Sequence, residues 1–177
     1  QESISRQQLQ GIVASGLRFV FNPGERFEYS NTGFALLGEV IHILSGVSVP
    51  EYVTEHFLQP LGMRHTSYDY RSHDEDLAIG YSRHANGWKP EQFTAPGAYS
   101  PIGGVLSCTD DIARWVGWFA RAFSSEASDD DDMLLPKRYR RLMQVGHTSI
   151  PPTVRSGDAR GLLCSQTSSE YVSYGYG

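Results

Sequence analysis

Apolar residues along the chain fall into helical stripes separated by Pro- and Gly-rich turns. The strongest stripe lies in Thr32–Ser45, where Phe34, Leu37, Ile41 and Leu44 recur at spacings of three, four and three. Leu36 and Val40 widen it, which predicts a helix with most of its surface buried. Gly33 and Gly38 interrupt it at a cost of about 1 kcal/mol each relative to Ala, which implies close approach by another backbone. Gly46 suits the position just past the helix end. Ser48-Val49-Pro50-Glu51 then forms a capping box, with Ser48 as N-cap and Glu51 three residues on. Val47 and Tyr52 take the staple positions, and Pro60 marks the stop.

Weaker signals flank these two helices. Residues 5–16 predict a short helix carrying Leu9, Ile12 and Val13, stopped by Gly16. Phe19-Val20-Phe21 reads as extended, and Asn22-Pro23-Gly24 as a turn. Asn86-Gly87 is a favoured hairpin turn, with strands expected over Ala78–Arg83 and Trp88–Phe93. The loop APGAYSPIGG, 95–104, is rigid by composition, and Gly103-Gly104 would admit either a substrate cleft or close packing. A third helix follows, capped by Ser107 or Thr109. Asp110 and Asp111 stand in its first turn, and Ile112, Trp115, Val116, Phe119 and Phe123 form its apolar face. Trp115 and Trp118 read as core and edge of that helix rather than a ligand cage. SSEASDDDD, 124–132, is a solvated acidic loop that lacks the alternating ligands and central Gly of a calcium loop. A short helix is expected after Pro136, through Tyr139, Leu142 and Met143. Pro151-Pro152 is a break, and SEYVSYGYG reads as the start of a strand.

Composition narrows the class. The chain has 177 residues, 40% hydrophobic and 20% charged, which fits globular rather than disordered sequence. A net charge of −5 and the lack of a Lys/Arg-rich run argue against a nucleic-acid partner. No apolar run reaches the roughly 20 residues a membrane helix needs. Cys108 and Cys164 form no CxxC pair and read as reduced structural thiols. The six histidines show no metal-ligand spacing; His65, His73 and His84 read as solvated. No metal or cofactor is expected.

Candidate chemistry centres on Tyr29-Ser30-Asn31, immediately before the strongest helix. Asn31 is also a favoured N-cap, so cap and site roles are both open for it. For Tyr29 taken alone, the plain structural role is a half-buried aromatic that tethers the turn. Ser30 has no Lys or His at helical spacing and no GxSxG elbow to activate it.

Four ordered blocks resemble the serine β-lactamase-like family, which includes class C β-lactamases, penicillin-binding proteins, D-peptidases and esterases. They are Pro-Gly-x-x-Phe-x-Tyr-Ser-Asn (23–31), Pro-Leu-Gly-Met-x-x-Thr (60–66), AIGY (78–81) and GGVLSCTDDIARW (103–115), and the likeness runs over about residues 17–123. A weaker echo is Tyr174-Gly175-Tyr176-Gly177. The resemblance implies a predominantly helical part of an α+β β-lactamase/transpeptidase-like fold. A single partial domain over 1–177 is expected, with the helical region, a hairpin and the start of a sheet strand. It also implies a serine hydrolase that cleaves β-lactam, peptide or ester bonds through an acyl-enzyme. The family's nucleophile stands in Ser-x-x-Lys, which places Ser and Lys on one helix face. Tyr29 would be the motif tyrosine that shares the serine proton, and Asn31 would hold a substrate amide and orient the lysine.

The departures are specific. The two lysines, Lys89 and Lys137, have no Ser three residues before them, so Ser-x-x-Lys is absent from this sequence. Only 28 residues precede Tyr29, and a third motif would fall past Gly177. The sequence therefore reads as an internal segment of a longer hydrolase, inactive alone, with uncovered apolar faces, marginal stability or self-association. The alternative is a non-catalytic binding module. The polar start QESISRQQLQ carries no signal-peptide pattern, and localisation stays open. Cys108 stands where the family usually has Thr, which puts the cap of the third helix in doubt.

Overall fold

A computed structural model of the chain describes residues 4–22, 25, 29–71, 77–124 and 134–145. Expectations for His73, most of the acidic loop, Pro151-Pro152, Cys164 and the C-terminal strand lie outside these residues. The described elements are helical apart from one ribbon. The chain divides into two compact units, Gln1–Leu17 with Thr32–Arg121, and Arg18–Asn31 with Ala122–Gly177.

The first unit begins with α1, Arg6–Ala14. Ser5 caps it in a capping box: its Oγ accepts from Gln8 N, and Gln8 Oε1 accepts from Ser5 N at 2.8 Å. Leu9 is buried in a small core with Ile4 and Ala35, against Ala98, Tyr99 and Ile102. Ala98 N donates to Ile4 O at 2.9 Å, and Arg6 pairs with Glu39 at 2.9 Å, which fastens α1 to its surroundings.

Helix α2 spans Asn31–Ser45 and ends as expected, with Gly46 at φ 80°. Its burial differs from the reading of the stripe. Ala35 and Gly38 are buried, whereas Leu37, Val40, Ile43 and Leu44 are exposed, Leu44 at 82%. The covered face is the small-residue face, and among the described residues Leu37, Val40, Ile43 and Leu44 have little packed on them. Gly38 is required there by a side chain and not, as expected, by a backbone. A Cβ on it would lie 2.3 Å from Pro101 Cγ, inside any real contact distance.

The capping box of α3, Val49–Val53, forms as read: Ser48 Oγ and N both donate to the Glu51 carboxylate, at 2.7 and 2.8 Å. The helix then widens into a π turn over Thr54–Leu58, which the sequence reading missed. Gln59 N donates to Thr54 O at 3.0 Å and Met63 N to Leu58 O at 2.9 Å. Pro60 has no N–H to give the His56 carbonyl, so a regular α ladder could not continue there. Gly62 follows at φ 70°, and Met63 drops into the core.

Strands β1 (Tyr81–His84) and β2 (Gly87–Pro90) form an antiparallel ribbon with Arg83 opposite Trp88 and His84 opposite Gly87. Both are shorter than expected, and the turn residues are Ala85 and Asn86. Gly87, at φ 111°, is the first residue of β2, where a left-handed backbone favours glycine. Phe19-Val20-Phe21 is in neither helix nor strand.

Helix α4 spans Thr109–Ala120, with Cys108 at the N-cap. Neither Ser107 nor Thr109 is the cap, and the Cys108 thiol makes no capping bond. Its buried residues are Asp111, Trp118 and Phe119, while Ile112 and Val116 of the expected apolar face are about half exposed. Phe123, beyond the helix, is exposed too. Trp118 is the core residue at 2% exposure, and Trp115 is the half-buried one, the reverse of the expected order. Phe57 meets both rings edge-on, at 6.4 Å from Trp115 and 6.1 Å from Trp118.

In the second unit, α5 spans Lys137–Leu142 after Pro136, as expected. Its buried side chains are Lys137 and Arg140, while Tyr139 and Leu142 are exposed. Lys137 Nζ donates to Ser124 O at 3.3 Å, and Arg141 Nε donates to Ala122 O. The cations thus serve carbonyls in and just after the short turn Arg121–Phe123.

Candidate active site

Tyr29 and Asn31 stand where the chain enters α2: Asn31 is its first residue and Tyr29 lies two positions before it. Pro23 and Gly24 of the expected turn lie outside the described residues, but Asn22 and Glu25 on either side of them are joined, with Glu25 N donating to Asn22 O at 3.2 Å. Asn22 donates to the Glu25 carboxylate through its backbone N at 3.0 Å and its Nδ2 at 2.6 Å. Those bonds, the Nδ2 bond first, hold the Glu25 carboxyl below its usual range. Both motif side chains are accessible, and Tyr29 exposes 51% of its surface. The helix begins on Asn31 rather than at Thr32. A phenol and an amide two residues apart at a helix entrance can exchange a proton and grip a carbonyl or amide.

The other family blocks have structural employment. In Pro60–Thr66, Gly62 supplies the left-handed residue, Met63 packs in the core, and Thr66 is buried. Thr66 Oγ1 lies 2.8 Å from Asp111 Oδ2 and 2.7 Å from Ser107 Oγ. Asp111 Oδ2 also accepts from His65 N at 2.7 Å. Asp111 stands in the first turn of α4, as expected, and is also the buried acceptor that ties residues 65–66 to that helix. Gly104, at φ 87°, packs on Pro96; an added Cβ would sit 2.8 Å from Pro96 Cγ. That is the packing alternative for Gly103-Gly104, while Gly103 faces open space.

A cleft of about 880 Å³ opens in the first unit between α2, the α3–π segment and the loops at 67–71 and 95–101. Tyr68 and Tyr70 line it, with Pro96 and Pro101 opposite and Glu55 from the π turn. Burial pushes the Tyr68 hydroxyl above its ordinary range, so it stays protonated and can donate. Tyr70 stacks on Phe93 with centroids 5.6 Å apart. Tyr29 and Asn31 do not line this cleft. No local pattern marked Tyr68, because its burial comes from segments remote in sequence. Among the described residues, no three His, Cys, Asp or Glu gather as a metal site. No single described helix is long and apolar enough to cross a membrane.

The family model described as Beta-lactamase matches residues 11–175. The chain belongs to the β-lactamase family. Protein flp of Staphylococcus aureus (strain MW2) is 32% identical over 146 residues, which cover 77% of this chain and 25% of that protein. The octameric penicillin-binding protein homologue from Pyrococcus abyssi is 32% identical with a TM-score of 0.61, over 75% of this chain and 28% of that one. D-amino acid amidase from Ochrobactrum anthropi SV3, solved with L-phenylalanine amide, is 25% identical with a TM-score of 0.54, over 69% and 37%. The chain therefore spans about a quarter of the length of the curated relatives it matches. Its fold is a partial β-lactamase/transpeptidase-like fold, mainly helical with a two-stranded ribbon.

Proposed function

We propose that this β-lactamase-family chain is part of a serine hydrolase that opens amide or ester bonds through an acyl-enzyme. The observation that carries the reading is the family match over 11–175 combined with a solvent-accessible Tyr29-Ser30-Asn31 at the entrance of α2. An amide-cleaving structural neighbour supports the amide class. Tyr29 takes the proton of the serine nucleophile and returns it to the leaving group. Asn31 holds the substrate amide and orients the lysine. The nucleophile's Ser-x-x-Lys is supplied by sequence outside these 177 residues, since neither Lys89 nor Lys137 completes the motif. The chain alone is then inactive. A β-lactam, a peptide and a simple ester are all chemically open to this pair of groups. Uncovered aliphatic residues on α2, together with an octameric relative, support self-association of the segment.

A second reading, a non-catalytic binding module on the same fold, is favoured by the absence of Ser-x-x-Lys. One experiment separates them: expression of the complete reading frame, with a labelled penicillin, a fluorophosphonate and D-amino acid amides as probes. The hydrolase reading expects covalent labelling of a Ser-x-x-Lys serine. It also expects Tyr29→Phe to lower turnover by roughly 10²–10⁴ with folding intact. Labelling at Ser30, or near-normal turnover of Tyr29→Phe, overturns the assigned roles. No labelling and no turnover in the full product establishes the module.

A further inference from the structure

The hairpin tip carries chemistry that the hydrolase reading does not use. Asn86 is the second turn residue, Gly87 opens β2, and both are exposed. Nothing lies within 4 Å of where a Gly87 Cβ would stand. The ribbon has four residues a side, and of these eight only Ser82 is even half-buried. A two-stranded ribbon without a buried face opens readily. We propose that Asn86-Gly87 is a site of spontaneous covalent modification, in which Asn86 is converted to isoaspartate and aspartate.

The step needs only water and base. The Gly87 amide nitrogen, on losing its proton, attacks Asn86 Cγ. A C–N bond forms, the Cγ–Nδ2 bond breaks, and the side-chain nitrogen leaves as ammonia after taking up a proton. The resulting five-membered succinimide adds water at one of its two carbonyls. Opening at one gives aspartate; opening at the other routes the main chain through the side chain and gives isoaspartate. Glycine favours ring formation because no side chain hinders its nitrogen and its φ is unrestricted. The other two described asparagines are poor sites for local reasons. Asn22 precedes Pro23, which has no N–H to attack with, and Asn31 precedes β-branched Thr32 inside a helix.

The product changes the ribbon in two ways. A carboxylate replaces a neutral amide at the tip, two residues from His84 in sequence and three from Lys89. Isoaspartate also lengthens the main chain by one methylene, at the point that sets the pairing of His84 with Gly87 and Arg83 with Trp88. The modified ribbon loses its register.

The test is incubation of the intact chain at mildly alkaline pH, followed by peptide mapping and labelling with an isoaspartate-specific methyltransferase. The expected result is a gain of about 1 Da confined to the Asn86 peptide, with methyl labelling there and none at Asn22 or Asn31. Conversion should run within a few-fold of the rate of the free Asn86-Gly87 peptide. Asn86→Gln, which keeps the Gly87 backbone, should abolish labelling, and Gly87→Ala should slow conversion several-fold. An Asn86 peptide that stays intact in the folded chain while the free peptide converts overturns the proposal. So does conversion at Asn31 as fast as at Asn86.

Discussion

Single residues divide here into those that hold the chain and those that face outward. Thr66 and Asp111 are of the first kind. Asp111 is 2% exposed, and its Oδ2 gathers the His65 N–H and the Thr66 hydroxyl, with Arg114 3.8 Å from Oδ1. A buried carboxylate is tolerated because donors surround it. Asp111→Ala removes that acceptor from both donors and opens a small void, so we expect a loss of about 2–4 kcal/mol in unfolding free energy. Thr66→Val removes the hydroxyl that meets Asp111 and Ser107 but keeps the side chain's volume, and it should cost less. Urea denaturation of both single variants and the double variant should show a double-variant loss well below the sum of the singles, because both remove the same contact. Additive losses would show that the two side chains act separately. Tyr29 and Asn31 are of the second kind: they are exposed, and only a motif marks them.

At the scale of elements, what was legible depended on how local the cause was. The box Ser48–Glu51 formed as read because all its partners lie within four residues, as do the backbone bonds of Gly46 and those that start the helix after Pro136. The hairpin was read one residue out of place, because Asn-Gly marks a turn without saying which position needs the left-handed backbone. The buried faces of α2 and α4 are only partly as expected: Phe119 is buried and Trp115, Phe34, Leu36 and Ile41 are half-buried, but Leu37, Leu44, Ile112 and Val116 are exposed. A stripe records hydrophobic spacing alone, whereas burial depends on which segments, remote in sequence, pack on each face. The Tyr68 cleft was invisible for a related reason, since its walls come from segments tens of residues apart. The capping box makes a prediction of its own. Hydrogen bonds from Ser48, the hydroxyl bond first, hold the Glu51 carboxyl below its ordinary 4.5. A carboxyl depressed by folding stabilises the helix start above its unfolded value and loses that contribution as pH falls through the lower folded value. Acidification from pH 4.5 downward should therefore loosen residues 49–53, seen as a loss of amide protection there relative to the exchange rate of the unstructured peptide at the same pH. Ser48→Ala should move the Glu51 midpoint, read from its carboxyl carbon shift, up toward 4.5; an unmoved midpoint would remove the box from the explanation.

For the whole molecule, the telling feature is apolar surface with little packed on it. Leu37, Val40, Ile43 and Leu44 of α2 are 49–82% exposed, and they recur along one helix at spacings that make a continuous strip. Water-exposed strips of this kind are covered in a finished fold or gather other copies of themselves. The chain belongs to the β-lactamase family and spans about a quarter of its curated relatives, and among the described residues these large side chains stay open. In isolation the 177-residue chain should therefore associate as its concentration rises, and it should bind a hydrophobic dye more than a closed domain would. Ile43→Glu with Leu44→Glu tests the strip directly. These two side chains are 71% and 82% exposed, so charging them removes little packing within the chain, while it places carboxylates in any contact between strips. Sedimentation velocity should show the double variant shifted toward monomer with its unfolding midpoint nearly unchanged. A wild-type chain that stays monomeric at high concentration, or a variant that associates as strongly as wild type, would show that this strip does not drive assembly. A variant that unfolds would show instead that α2 packs more closely within the chain than its exposure indicates.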